Sequence, residues 1–342
     1  MKETKKISFI CLKYSKCIVF SWLAVFIYLG RHQEKLEFTT SMLNIEGEML
    51  MKKSLIALAV AGALAAPMVA QADATLYGSL RVMVVDQEDS ELDVADNSSR
   101  IGIKGSVDTG IDGVKAIYRG EWKVNSADGA DFGAGRLAYV GLTGGFGTAA
   151  IGQQWTPYYT FVTGATDILD GKSTAPTQDV FRKGNAIAYV SPEMGGFQGA
   201  LVAIADDNGN GEDVDHYNLA AKYSVAGFTV GASVLTFEDT DKDMTAVSAA
   251  YAAGPLYVAA LYQDKEAADV KQWELAGSYA FGDTKVLANY IDFDNDGNGF
   301  GLEVQQKLGK QSRVFANIYE VNDDAEDMGK KDAISVGMRV DF

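Results

Sequence analysis

DAISVGMRVDF, at residues 332–342, alternates without a break. Ile334, Val336, Met338, Val340 and Phe342 are apolar, and Ser335, Gly337, Arg339 and Asp341 between them are small or charged. That is the pattern of a strand with one face in lipid and the other in water. In a water-soluble sheet such an apolar, aromatic-terminated strand is an adhesive free edge. A closed barrel in a membrane uses it to seal the sheet.

Working outward, the same period of two recurs in segments of about ten residues from Thr75 onward, separated by Gly, Asn and Asp clusters. Sixteen are predicted: 75–88, 98–110, 114–125, 136–145, 148–157, 185–192, 197–206, 216–225, 228–237, 244–253, 256–265, 270–281, 284–293, 299–308, 312–321 and 332–342. The connections alternate as well. Those after even strands are brief (111–113, 146–147, 193–196, 226–227, 254–255, 282–283, 309–311), and those after odd strands are longer and mostly acidic (89–97, 126–135, 207–215, 238–243, 294–298, 322–331). Short turns on one side and long loops on the other are the layout of an outer-membrane barrel. The prolines agree: Pro67, Pro157, Pro176, Pro192 and Pro255 all avoid strand centres. The fold class read from these signals is all-β, a 16-stranded antiparallel transmembrane barrel.

One strand shows the two faces plainly. Val114, Ala116, Tyr118, Gly120, Trp122 and Val124 suit lipid, while Lys115, Ile117, Arg119, Glu121, Lys123 and Asn125 suit a watery lumen.

At Met51 a secretory signal begins: Lys52 and Lys53, an apolar run over 55–66, then Ala70-Gln71-Ala72, the small-x-small pattern cut by a signal peptidase. The expected organisation is an upstream start-site artefact over 1–50, a signal peptide over 51–72 and a barrel over 73–342. The apolar run at 17–30 falls short of the roughly 20 residues a membrane helix needs. Cys11 and Cys17 both precede Asp73, so the barrel region carries no thiol, as suits export through an oxidising compartment. From Asp73 on there are 41 acidic and 21 basic residues, a net charge of −20. Nucleic acid is thereby excluded as a partner.

One long connection differs from the rest. Residues 158–183 open with YYTFVTGATDILDG, apolar enough to require burial and long for a surface loop. Folded inward, as the third loop, it narrows a lumen that sixteen strands otherwise leave wide.

Two other chemistries compete with this reading. Asp292, Asp294, Asp296 and Glu303 match the spacing of a calcium loop, but strand-like flanks replace the helices that such a loop requires, and an acidic hairpin gives the same spacing. The acidic loops more loosely suit divalent ions that bridge lipopolysaccharide phosphates. Catalysis lacks its parts: His216 is the one histidine after Asp73, and no serine–histidine–acid set forms around it. No cofactor is expected.

Leu76-Tyr77-Gly78, Ser99-Arg100-Ile101-Gly102-Ile103-Lys104-Gly105, Gly135-Arg136-Leu137-Ala138-Tyr139-Val140-Gly141-Leu142, Thr166-Asp167-Ile168, the run from Arg182 to Pro192, and Phe342 follow one another in a telling order and spacing. Through them the chain resembles the trimeric general diffusion porins of Gram-negative bacteria. It implies a third loop whose carboxylates face an arginine ladder. Carried over by motif, Asp167 and Asp170 form the acidic side and Arg100, Arg136 and Arg182 the basic side. Arg81 joins them, sharing a strand face with Ser79, where some relatives carry lysine. The family's Pro-Glu-Phe-Gly-Gly stretch is replaced here by Asp170-Gly171-Lys172.

The resemblance also implies a homotrimer in the bacterial outer membrane, contact with lipopolysaccharide, and recognition of the Phe342 strand by the barrel-assembly machinery. The function it implies is passive diffusion of small hydrophilic solutes and ions, and the acidic charge balance predicts a modest cation preference. A sugar-type channel is the alternative, with Trp155, Tyr158, Tyr159 and Phe161 as a stacking track. A plugged adhesive barrel is another.

Overall fold

In the computed structural model the described residues are 73–129, 132–173, 180–206, 213–238, 243–266 and 269–342. All lie within the compact unit Met68–Phe342. The expected signal peptide (51–72) and the segment before it fall outside the described residues.

Sixteen wall strands run in chain order: β1 (Asp73–Gln87), β2 (Arg100–Asp108), β3 (Lys115–Val124), β4 (Phe132–Gly144), β5 (Gly147–Trp155), β6 (Ala186–Val190), β7 (Phe197–Ile204), β8 (His216–Val225), β9 (Phe228–Phe237), β10 (Met244–Ala253), β11 (Leu256–Lys265), β12 (Val270–Phe281), β13 (Thr284–Asp292), β14 (Asn298–Lys307), β15 (Ser312–Val321) and β16 (Ala333–Asp341). Each pairs antiparallel with its neighbours in sequence, and β16 pairs antiparallel with β1 from Ser79↔Asp341 to Gln87↔Ala333. The seam continues past the last strand residue. The Gly78 amide donates to the Phe342 carbonyl (2.9 Å) and the Phe342 amide to that of Gly78 (3.1 Å). Closure pairs the backbone groups of both terminal strands and leaves no edge, as a sheet in hydrocarbon requires. The Phe342 ring covers Gly78, and a side chain at residue 78 would have to push that ring aside.

Alternation sorts the side chains. Leu76, Leu80, Val84, Val140, Leu142, Leu219, Val230, Val247, Val258, Leu275 and Phe300 are exposed on the outer face. Glu121, Asn218, Gln263, Gln272, Glu274, Glu303, Asn317 and Ser335 are buried on the inner one. The two-residue turn Ala226-Gly227 holds both residues at positive φ (50° and 85°), the primed geometry whose twist matches its flanking strands.

The structure refines the predicted elements at their ends. Within the first long loop Asp93–Asp96 folds back onto β1, and Arg182–Lys183 pairs with the end of β5. The last long loop holds a short helix, Asp323–Asp327, whose N-cap Asn322 accepts from the Ala325 amide. These pieces are too short for a periodicity to reveal.

Candidate pore constriction

The third loop follows β5. A short wide helical turn (Tyr158–Val162) and a 3-10 turn (Thr163–Ala165) form its first part. Tyr158, Phe161 and Val162 are buried there against Ala200, Ala220, Leu235, Met244, Ala246 and Leu261 on the inner wall, with Val180 from the loop's own return. The hydrophobic drive expected for this segment thus draws it into the barrel.

Polar anchors then follow strand by strand. Asn218 on β8 accepts from the Tyr158 amide (2.9 Å), and Tyr158 Oη donates to Gln263 on β11 (3.1 Å). Tyr257 Oη donates to the Ala165 carbonyl (2.7 Å). The Thr166 hydroxyl donates to Glu274 on β12. Glu303 on β14 accepts from two consecutive amides, Asp170 (3.0 Å) and Gly171 (2.6 Å), while Ser335 on β16 accepts from the Lys172 amide (3.3 Å). The loop therefore lines the inner wall from β8 round to β16. A hydrogen bond to a charged group contributes about 1.5–3 kcal/mol, so Glu303 is a principal anchor. Gly171 has its backbone against Asn317, where a Cβ would overlap that side chain.

Asp170 ends this path in a cluster of cations. Its carboxylate accepts from Arg313 Nε, from Arg339 Nη1 (3.0 Å) and from Gln305 Nε2 (3.2 Å), with Arg81 Nη1 at 4.0 Å. Burial alone raises its pKa, but the Arg313 hydrogen bond and the charges of Arg313, Arg339 and Arg81 outweigh that and hold the carboxyl below the usual aspartate range. Asp167, three residues earlier, is exposed to the lumen and accepts from Tyr159 Oη (2.8 Å). The surrounding protein disfavours its charge and raises its pKa, although the Tyr159 hydrogen bond opposes this.

Opposite the loop stands the wall of β1 to β5. Glu121 on β3 is buried and accepts from Arg136 Nε (2.8 Å), Arg119 Nη2 (3.1 Å) and Tyr77 Oη (2.9 Å). Strict alternation from Ala138, Val140 and Leu142 sends Arg136 outward into lipid. The register instead skips it: Glu121 pairs with Leu137 and Trp122 with Gly135. Arg136 is the extra residue of a β-bulge that turns its side chain to the lumen. Arg100 reaches only the Ser98 carbonyl (3.4 Å), and the Arg182 guanidinium lies 4.7 Å from the Trp155 ring. Among the described residues neither has a carboxylate at ion-pair distance.

All six predicted constriction residues, Arg81, Arg100, Arg136, Arg182, Asp167 and Asp170, line one cavity of about 600 Å³. Arg313, Arg339 and Lys172 line it too. No motif points to Arg313 and Arg339, because cross-strand register rather than local sequence brings them there, whereas Lys172 comes with the third loop itself, two residues after Asp170. Of the four aromatics in the sugar-track reading, Trp155 and Tyr159 reach the cavity, stacked at 4.7 Å, while Tyr158 and Phe161 are buried in the apolar cluster.

The calcium spacing is not realised. Asp292 ends β13, Asp294 and Asp296 sit in the loop turn, and Glu303 is deep within β14, spent on the third loop. Strand geometry separates Glu303 from the loop by about 3.3 Å for each residue. Glu88, Glu326 and Asp332 do bring carboxylate oxygens within 4.8 Å of one another, an acidic group of a kind common without any ion. His216 packs edge-on against Phe237 (4.6 Å) at a strand end, far from any catalytic arrangement.

Comparison with known proteins places this geometry. The family model for Gram-negative porins matches residues 57–326. The major outer membrane protein P.IB of Neisseria gonorrhoeae is 33% identical over 197 residues, covering 52% of this chain and 55% of that protein. Its counterpart in Neisseria meningitidis serogroup A / serotype 4A (strain DSM 15465 / Z2491) is 33% identical over 210 residues, covering 56% and 62%. The chain thus spans little more than half the length of the curated relatives it matches. Among solved structures, an anion-selective porin from Comamonas acidovorans superposes with a TM-score of 0.64 at 20% identity, over 80% of this chain and 100% of that one. A Salmonella typhi OmpF complex with daunomycin gives 0.67 at 16%, over 79% and 97%. These structural likenesses show the fold. With its sealed sixteen-stranded wall and a family match across most of its length, the chain belongs to the Gram-negative porins of the outer membrane.

Proposed function

We propose that the barrel is a passive, water-filled channel for small hydrophilic solutes and ions, and that its constriction prefers anions. The observation that carries this reading is the lining of the cavity. Six arginines and one lysine stand there against two aspartates, and Asp170 is already neutralised by its arginine partners. The net charge by itself favours cations, and we weigh the lining above it for a physical reason. Charges beyond the Debye length of about 8 Å at physiological ionic strength are largely screened, so the lining decides what passes.

Arg100 and Arg182 supply the charge free to act. A unit charge about 4 Å away is worth about 1 kcal/mol even in bulk water, so two, partly screened, favour an anion by a factor on the order of 10. Arginine keeps this charge at any physiological pH. The anion selectivity of the Comamonas acidovorans porin is in keeping with this reading.

We further propose a homotrimer, as in the trimer form of a Vibrio cholerae outer-membrane protein of the same fold, with lipopolysaccharide around the long loops and the Phe342 strand presented to the barrel-assembly machinery. Cleavage after Ala72 and a start at Met51 belong to the same proposal.

Liposome swelling together with single-channel recording tests conduction. Purified protein should admit small sugars and give large, stepwise, ohmic openings. Absent swelling and silent bilayers would transfer the reading to a plugged or adhesive barrel.

A further inference from the structure

Arg313, Arg339 and Arg81 occupy adjacent strands at one level. Arg313 is directly opposite Arg339 across β15 and β16, and Arg339 is directly opposite Arg81 across β16 and β1. Like charges placed directly opposite destabilise a sheet, so three arginines in a row require a counter-ion. Asp341 supplies part of it, accepting from Arg339 Nε at 2.9 Å. The rest comes from the third loop. Both oxygens of the Asp170 carboxylate are taken: one by Arg339 Nη1 (3.0 Å) and, more loosely, Arg81 Nη1 (4.0 Å), the other by Arg313 Nε and Gln305 Nε2 (3.2 Å). Only 7% of Asp170 is exposed. Donors converge on both oxygens from the wall strands, which is how a receptor for a small oxyanion is built.

We propose that Arg81, Arg313, Arg339 and Gln305 form an oxyanion-binding site distinct from the free arginines of the channel, and that Asp170 is its resident, tethered ligand. The backbone around Asp170 is held independently. Glu303 accepts from the Asp170 and Gly171 amides, Asn97 Nδ2 donates to the Asp170 carbonyl, and Ser335 accepts from the Lys172 amide. Removing the Asp170 carboxylate therefore leaves the loop in place with an empty receptor beneath it. An inorganic oxyanion such as phosphate, or a solute carboxylate, has the charge and acceptor geometry to fill it. In the intact protein it must compete with a ligand covalently tied to the site, whose effective concentration is high.

The site does not depend on conduction, and its test reads binding in detergent solution. Inorganic phosphate is titrated calorimetrically, at low chloride, into the assembled wild type, Asp170→Ala, and the double variants Asp170→Ala/Arg339→Gln and Asp170→Ala/Arg313→Gln. Asp170→Ala should gain a phosphate site at least tenfold tighter than any in the wild type, and each double variant should lose the gain. Asp170→Asn, nearly isosteric, should gain in the same direction and decides the matter if the alanine variant does not assemble. Phosphate affinity unchanged by either substitution at Asp170, or a gain that survives loss of Arg339 and Arg313, would overturn the proposal.

Discussion

The inner wall has two unlike halves. From β8 round to β16 it is tiled by the third loop, whose apolar start fills the space against Leu235, Met244 and Leu261 and whose later amides and hydroxyls are anchored by Glu274, Glu303 and Ser335. From β1 to β5 it is bare, with Arg100 and Arg136 facing the cavity, and Arg182 joins them from the loop's return. Buried acids on the tiled side bind the loop, and the half-buried Arg100 and Arg182, without a carboxylate at ion-pair distance among the described residues, meet solute on the bare side. The same charged residue types that give a channel its field therefore also hold its walls, and burial decides which task each performs.

The largest expected effect comes from untiling. Glu303→Leu deprives two buried amides of their acceptor, at a cost of about 3 kcal/mol to the docked loop. Single-channel conductance should rise and become noisy. Glu303→Gln, which keeps one acceptor oxygen, should lose less. Quiet, unchanged openings in the leucine variant would break the division between a tiled and a bare half.

Stripping the bare half comes next. Arg100→Ala with Arg182→Ala should lower the anion-to-cation permeability ratio by a factor on the order of 10 while leaving conductance steps intact. A ratio that stays put would assign the field to other charges, foremost Arg81 and Lys172.

A titration sharpens the contrast between the two loop carboxylates. Asp167 has its pKa raised, because the surrounding protein disfavours its charge more than the Tyr159 hydrogen bond favours it. As pH falls it takes up a proton first, the lining becomes more positive, and anion preference should increase modestly above about pH 4. Asp170 has its pKa depressed, and a group so shifted contributes stability above its unfolded value of about 3.9 that is lost as pH falls through the folded value. Its ion pairs with Arg313 and Arg339 should therefore persist to about pH 4 and be given up only below it. Zero-current potential recorded against pH separates the two events as two successive steps toward anion preference, and a single step confined to the range below about pH 4 would contradict the assignment.

The smallest effect is expected of Tyr159→Phe. It removes one hydrogen bond to a lumen-exposed acid (2.8 Å), worth about 0.5–1.5 kcal/mol. Selectivity should move by no more than about twofold, read from the same potential.

Much of the barrel was legible because a lipid-facing strand must alternate and a closed sheet must seal. Ile334 to Phe342 announced both, and β16 indeed zips onto β1. The long apolar loop at 158–183 was legible from its need for burial. The site was only partly so. Alternation alone points Arg136 into lipid, and the bulge that rescues it is a matter of pairing between β3 and β4. Arg313 and Arg339 meet Asp170 across 143 and 169 residues of chain, a distance no local pattern spans. Glu303 illustrates the converse. Its spacing from Asp292 mimics a calcium loop, whereas its strand position commits it to the third loop. Overall charge and lining point opposite ways, since the acidic excess is concentrated in the long loops whereas the constriction is lined with arginine.

The most direct test of this account is the zero-current potential of the wild-type channel across a roughly tenfold potassium chloride gradient in a planar bilayer. An anion-signed potential, smaller at high salt because the field of the lining is screened, is the predicted result. A cation-signed potential would contradict it and return the selectivity to the net acidic charge of the chain.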